Sequence, residues 1–166
     1  MMNLPNPENQ CVALSEMIRP TLSENPLFVG LYRGGALVAK RVLEHLNLEE
    51  SRLGFLDISF YRDDYNEKGL HKNIQPSQIP FSVENRNVIL LDDVLYTGRT
   101  TRAALSEIFD YGRPKKVELA VLADRQGKEL PIAPTYCVWN VHLPFDEKLH
   151  LSLENQKLCW SLQKNA

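Results

Sequence analysis

Two adjacent carboxylates, Asp92 and Asp93, end an apolar run, Val88-Ile89-Leu90-Leu91, and lead into Val94-Leu95-Tyr96-Thr97-Gly98-Arg99-Thr100-Thr101. Four apolar residues of this kind bury a strand. In open α/β sheets the ligand crevice lies at the carboxyl end of such a strand. The segment after the acids offers backbone N–H groups, the hydroxyls of Thr97, Thr100 and Thr101, and the positive end of the helix that follows. Together these make an anion site suited to a phosphate. The carboxylates repel a phosphate, so they must face hydroxyl donors or a divalent cation. A sugar carrying two hydroxyls near its phosphate satisfies both halves. The plainer reading is a solvated strand end with Thr97 as a helix cap, but a cap needs only one such residue. The segment is neither GxxxxGK[ST] nor GxGxxG, so a Walker loop and a dinucleotide fingerprint are excluded.

The elements that position this segment follow from hydrophobic spacing. Cys11, Leu14, Ile18 and Leu22 predict an amphipathic helix over residues 8–22. Residues 27–31 (LFVGL) read as a buried strand, followed by a glycine turn and a helix whose inner face is Ala39, Val42, Leu43 and Leu46. Residues 52–61 read as a strand that is apolar on both faces. A helix over 100–111 turns Leu105, Ile108 and Phe109 inward and ends at Gly112, with Pro114 reinforcing the stop. Residues 117–122 form another strand, and the tail (136–141, 149–153, 157–162) reads as short strands or irregular structure. This rhythm is that of a parallel sheet covered on both faces, an α/β fold.

Composition bounds the rest. With 166 residues, 43% of them hydrophobic, and only 8 glycines and 10 prolines, the chain fits one globular domain, residues 1–166. A net charge of −2 argues against a strong non-specific polyanion binder. No apolar run approaches the ~18 residues that span a bilayer, and the polar start, residues 1–10, is no signal peptide. Cys11, Cys137 and Cys159 are far apart and odd in number, which suits reduced thiols in a cytoplasmic protein. Residues 63–81 are polar, hold Gly69, Pro76 and Pro80, and keep no periodicity. So long a structureless stretch inside a compact domain is usually either functional or mobile.

VILLDDVLYTGRT closely resembles the phosphoribosyl-pyrophosphate (PRPP) signature of type I phosphoribosyltransferases. Residues 57–64 (DISFYRDD), 111–114 (YGRP), Asp124-Arg125 and 129–132 (ELPI) resemble the PyrR family, in consistent order over about residues 10–153. Members of that family combine uracil phosphoribosyltransferase activity with RNA-binding control of pyrimidine-operon transcription. The resemblance implies a type I phosphoribosyltransferase fold: a twisted, mainly parallel sheet flanked by helices, with a small hood from the N- and C-terminal segments. It also implies a homodimer or higher homo-oligomer.

The resemblance further implies roles. Asp92 and Asp93 would bind the ribose hydroxyls of PRPP, and residues 94–101 would cradle the 5′-phosphate. The turn Tyr32-Arg33-Gly34-Gly35 would hold pyrophosphate, with Mg²⁺ bridging pyrophosphate and ribose oxygens and Asp92 and Asp93 as its candidate contacts. Asp124 and Arg125 would lie near the uracil, although such a pair at a strand end also suits a surface ion pair. Residues 63–81 would form a mobile lid, with Arg62 in a catalytic role and His71 and Lys72 as further pyrophosphate contacts; solvated loop charges are the alternative for each. Many relatives carry Thr-Arg-Gly where this chain has Arg33-Gly34-Gly35, so its arginine is displaced by one residue.

His45, His142 and His150 show no partner, and Trp139 and Trp160 read as packing residues. Arg19, Arg41, Arg113, Lys115 and Lys116 are scattered cations that do not by themselves make an RNA surface. The partners expected are PRPP, uracil, UMP and a pyrimidine-operon leader RNA. Two other readings stand beside the enzyme: a mainly non-catalytic, nucleotide-sensing RNA regulator, and a phosphoribosyltransferase for orotate or a purine.

Overall fold

The computed structural model describes residues 2–58 and 77–165. Strands β1 (Leu27–Leu31), β2 (Leu53–Leu56), β3 (Asn87–Leu95), β4 (Lys116–Arg125) and β5 (Tyr136–Val141) form one sheet in the order β2-β1-β3-β4-β5. Every pairing in it is parallel. All five residues of β1 are buried, as a central strand covered on both faces requires. A separate antiparallel hairpin joins β6 (Glu147–Glu154) to β7 (Lys157–Lys164). No helix among the described residues is long and apolar enough to cross a membrane.

Alternation along β3 divides the core in two. Ile89 and Leu91 pack with the buried faces of helices α1 (Pro7–Ile18) and α2 (Gly34–Leu46), while Val88 and Leu90 pack with helix α3 (Arg99–Asp110). Asn6 caps α1, its side-chain oxygen accepting from the N–H of Glu8 (2.9 Å) and Asn9 (3.2 Å). The chain then tightens into a 3₁₀ turn over Arg19–Glu24, so the helix ends four residues before the 22 that spacing suggests. Pro20 is the reason: it has no N–H to offer the carbonyl four residues back. Asn47 ends α2 in the left-handed conformation (φ 54°), its N–H closing on Glu44.

Two other expectations are corrected. In α3 the inward residues are Thr101, Ala103, Ala104 and Ile108, whereas Phe109 is 54% exposed. Residue 109 sits ~100° around the helix from Ile108, which carries its ring off the buried stripe. The expected strand over 52–61 spans only Leu53–Leu56 within the described residues. Its Phe55 exchanges both backbone hydrogen bonds with Gln78 (2.8 Å each), so the end of the polar stretch 63–81 is tied to the sheet edge. Residues 59–76, with Arg62, His71 and Lys72, lie outside the described residues.

The hairpin is pinned to α1 and α2 by polar contacts. Trp160 Nε1 donates to Gln10 Oε1 (2.6 Å), the Leu158 N–H donates to Glu8 Oε1 (2.9 Å), and Arg41 Nη2 donates to the Gln156 carbonyl (2.8 Å). The two ends of the chain therefore meet on the α1 side of the sheet. Cys11, Cys137 and Cys159 are free thiols.

Candidate active site

All the strands of the sheet run the same way, so the carboxyl ends of β1, β3, β4 and β5 open on one edge. β3 is longer than its apolar run: Asp92 and Asp93 lie inside it, with Asp92 opposite Val121 of β4. The two acids are not equivalent. Asp92 is buried, 4% exposed, and its Oδ1 accepts the Asp93 N–H at 2.9 Å. Asp93 is half-buried, and its Oδ1 accepts the Val94 N–H at 2.9 Å.

The turn after β1 meets this pair. A Cβ at residue 34 would run into the Asp93 carboxylate, and one at residue 35 would press on the Leu91 carbonyl and the Asp92 backbone. Only a residue without a side chain lets the start of α2 approach the acids so closely. The Tyr32–Arg33 peptide is cis. Tyr32 stacks on Phe55 (5.3 Å between ring centroids), and burial, then the charge of Asp57, pushes its hydroxyl pKa up.

The segment after β3 turns sharply at Gly98, φ +93°, a conformation that L side chains avoid, and enters α3 at Arg99. Thr97 Oγ1 accepts the Arg99 N–H (3.2 Å). The Thr97 carbonyl accepts the N–H groups of Glu129 (2.9 Å) and Leu130 (3.2 Å). Arg99 Nε also reaches Glu129 Oε2 (2.8 Å). The hydroxyl-rich loop is thus moulded against residues 129–130, and the first amides of α3 stand at its mouth.

Beside it lies a cavity of about 460 Å³, lined by Asp124 and residues 126–128 from the end of β4 and by residues 140–142 from β5. Lys128 Nζ donates to the Asp124 carboxylate at its wall and to the Arg125 carbonyl at 3.3 Å. Arg125 itself does not line the cavity. Its side chain is buried, 4% exposed, with the guanidinium over the Tyr96 ring and Nη2 donating to the Pro144 carbonyl.

The structure therefore brings 32–35, 92–101 and 124 to one edge of the sheet, and leaves Arg62, His71 and Lys72 undescribed. Sequence reasoning passed over Lys128, Asn140 and His142, which line the cavity. The strand-end rule applied to residues 136–141 would have found the last two. Among the described residues no three metal-ligating side chains converge.

A family model described as "Phosphoribosyl transferase domain" matches residues 4–147. The bifunctional protein PyrR of Nitrosococcus oceani is 45% identical over 161 residues, covering 91% of each chain. That of Pseudomonas syringae pv. tomato is 44% identical over 155 residues, again 91% of each. Among solved structures, a purine phosphoribosyltransferase from Pyrococcus horikoshii matches 81% of this chain and 82% of its own, at a TM-score of 0.61 and 24% identity. A hypoxanthine-guanine phosphoribosyltransferase from Bacillus anthracis matches 87% and 86%, at a TM-score of 0.62 and 16% identity. At those identities the structural likeness establishes the fold, whereas the sequence relatives carry the family.

Proposed function

The chain belongs to the bifunctional PyrR family of phosphoribosyltransferases, and from that premise we propose that it makes UMP and pyrophosphate from uracil and PRPP. The observation that carries this reading is the meeting of the Gly34-Gly35 turn with the Asp92-Asp93 pair, beside a hydroxyl-lined helix start. That arrangement has a place for each part of the donor. Residues 97–101 hold the 5′-phosphate through amides, hydroxyls and the positive end of α3. Asp92 and Asp93 accept from the ribose hydroxyls. The turn 32–35 offers backbone amides and Arg33 to the pyrophosphate. The cavity at the ends of β4 and β5 takes the base.

In the reaction, N1 of uracil bonds to the ribose C1 as the bond from C1 to the pyrophosphate oxygen breaks, and the N1 proton passes to solvent. Positive charge grows on the sugar ring while negative charge grows on the leaving group. Carboxylates beneath the ribose and amides around the pyrophosphate meet those charges where they develop. Half-buried Asp93, a hard oxygen donor next to the pyrophosphate turn, fits Mg²⁺ held jointly with the substrate's oxygens. When bound, Mg²⁺ neutralises charge on the departing pyrophosphate. The stretch 63–81, which holds His71 and Lys72 and directly follows Arg62, would exclude water from the reacting sugar.

The family's second activity, uridine-nucleotide-responsive binding of a pyrimidine-operon leader RNA, needs unpaired cations. Of the five scattered cations noted in the sequence, Arg19, Arg41 and Lys116 are engaged by Glu16, Glu8 and Glu44, and Glu24 and Glu118. The side-chain cations of Arg113 and Lys115 have no carboxylate partner among the described residues, although the Arg113 backbone N–H donates to Glu84 Oε2. A leader RNA shifted no better than an unrelated hairpin, with UMP present and at low salt, would count against RNA control.

The deciding experiment measures UMP formation from labelled uracil, PRPP and Mg²⁺, with orotate and hypoxanthine competing. Uracil-selective turnover supports the enzyme. Turnover on another base refutes the uracil assignment, and PRPP or UMP binding without turnover moves the RNA regulator to first place.

A further inference from the structure

Arg125 is one of two buried charged side chains among the described residues, the other being Asp92. Burying a guanidinium is costly unless it is paired or hydrogen-bonded. Arg125 has no carboxylate partner: Nη2 donates to the Pro144 carbonyl at 2.8 Å, and Nε finds no partner among the described residues. Its remaining contact is the Tyr96 ring, whose centroid lies 4.0 Å from the guanidinium carbon. That is close cation–π geometry, strongest when desolvated. A neighbouring glycine completes the seat, since a Cβ at residue 127 would strike the same ring.

The three segments joined here belong to different parts of the site. Tyr96 immediately precedes Thr97 in the phosphate loop. Arg125 follows Asp124, which lines the base cavity, and pairs across the sheet with Val141 of the same cavity. Pro144 follows the cavity residue His142 and leads to the hairpin. A leucine or methionine would fill the space without burying a charge. An arginine does more, because its planar face and its fork fix two segments at once.

We infer that Arg125 is a positioning residue that couples the base end of the site to its phosphate end: with its guanidinium in place, the cavity walls and the 96–99 loop hold one arrangement. The inference rests on the nucleotide reading of the site for its ligand, but not for the coupling itself, which exists in the free protein. A ligand that spans both ends, such as UMP, benefits from the coupling; a short ligand that touches only one end does not.

The test uses Arg125→Met, which keeps the bulk and loses the charge, and Arg125→Lys, which keeps the charge and loses the planar face. Hydrogen exchange of the ligand-free proteins reads the coupling directly. Amides over 96–100 are expected to exchange faster in both variants, while those of β1 stay protected. Titration with UMP is expected to give a Kd raised about tenfold, equivalent to ~1.4 kcal/mol, with inorganic phosphate binding changed much less. Folding is checked by the thermal midpoint, and Arg125→Lys answers if the methionine variant does not fold. Unchanged exchange over 96–100 in a folded variant overturns the inference, as does an equal loss of UMP and phosphate affinity. Faster exchange in a protein that never binds UMP would instead refute the nucleotide reading and leave the coupling standing.

Discussion

The Asp93 carboxylate stands against Gly34 so closely that no β-carbon fits between them. This contact joins the turn after β1 to the acid pair at the end of β3, across two strands that pair directly in the sheet. Neither segment is a site alone. Their approach brings a strand-end acid and a glycine turn together into the one surface proposed above to face both a sugar and its leaving group.

Gly34→Ala is therefore expected to displace either Asp93 or the start of α2. A displacement of about 1 Å in a positioned site can cost on the order of 100-fold in rate. Steady-state assay should show a fall of that order in kcat/KM for PRPP, with circular dichroism unchanged. An alanine variant with full activity would mean that Asp93 takes no part in holding the sugar.

Asp92→Asn and Asp93→Asn test the acids separately. An amide keeps the acceptor oxygen that receives the neighbouring N–H, so both variants should fold. Each loses a charged acceptor for a ribose hydroxyl, a change worth ~1.5–3 kcal/mol, or roughly 10- to 100-fold in kcat/KM. Wild-type turnover in both would remove the acids from the mechanism.

Much of this site is legible in the sequence because it is local. The apolar run, the acids, the threonines and Gly98 are contiguous, and one strand-loop-helix unit positions them all. What the sequence does not display is registry between strands. The length of β3 and β4 places Asp92, Asp93, Asp124 and Arg125 inside strands rather than after them, because paired backbone continues beyond the apolar residues. Asp124 and Arg125 look alike as a charged pair at a strand end. Alternation then sends one to the cavity wall and the other under Tyr96, a difference no spacing argument contains. Lys128 and His142 were passed over for the same reason, since their neighbours come from separate strands.

The hairpin's attachment is expected to be a matter of stability. Trp160 Nε1 donates to Gln10 Oε1 in a buried setting, and Gln10 Nε2 is already unpartnered among the described residues. Trp160→Phe leaves a second buried polar atom of Gln10 unsatisfied, which costs ~1–3 kcal/mol. Gln10→Leu combined with Trp160→Phe removes both partners and should recover part of that loss. Urea unfolding of these two variants and of Gln10→Leu alone measures the cycle; strictly additive losses would show that the bond contributes nothing of its own.

Cys11 gives the last expectation, a pH dependence with a definite sign. It is fully buried on the inner face of α1, and burial, helped by the charge of Glu8, pushes its thiol from the ordinary 9.0 to about 12. Between those values the unfolded chain sheds the proton and the folded chain keeps it. The folded state then binds more protons, so stability falls as pH rises. The contribution is complete below pH 9.0 and is lost on the way to about 12. Tyr136, held up to about 12 by burial and by its hydrogen bond to Glu118, adds a loss of the same sign above its ordinary 10.0. Urea midpoints at pH 7, 8.5 and 10 should decline mainly over the last interval. Cys11→Ala, compared with its own value at pH 7, should decline less. Equal declines in the two proteins would show that the buried thiol plays no part in the alkaline limit.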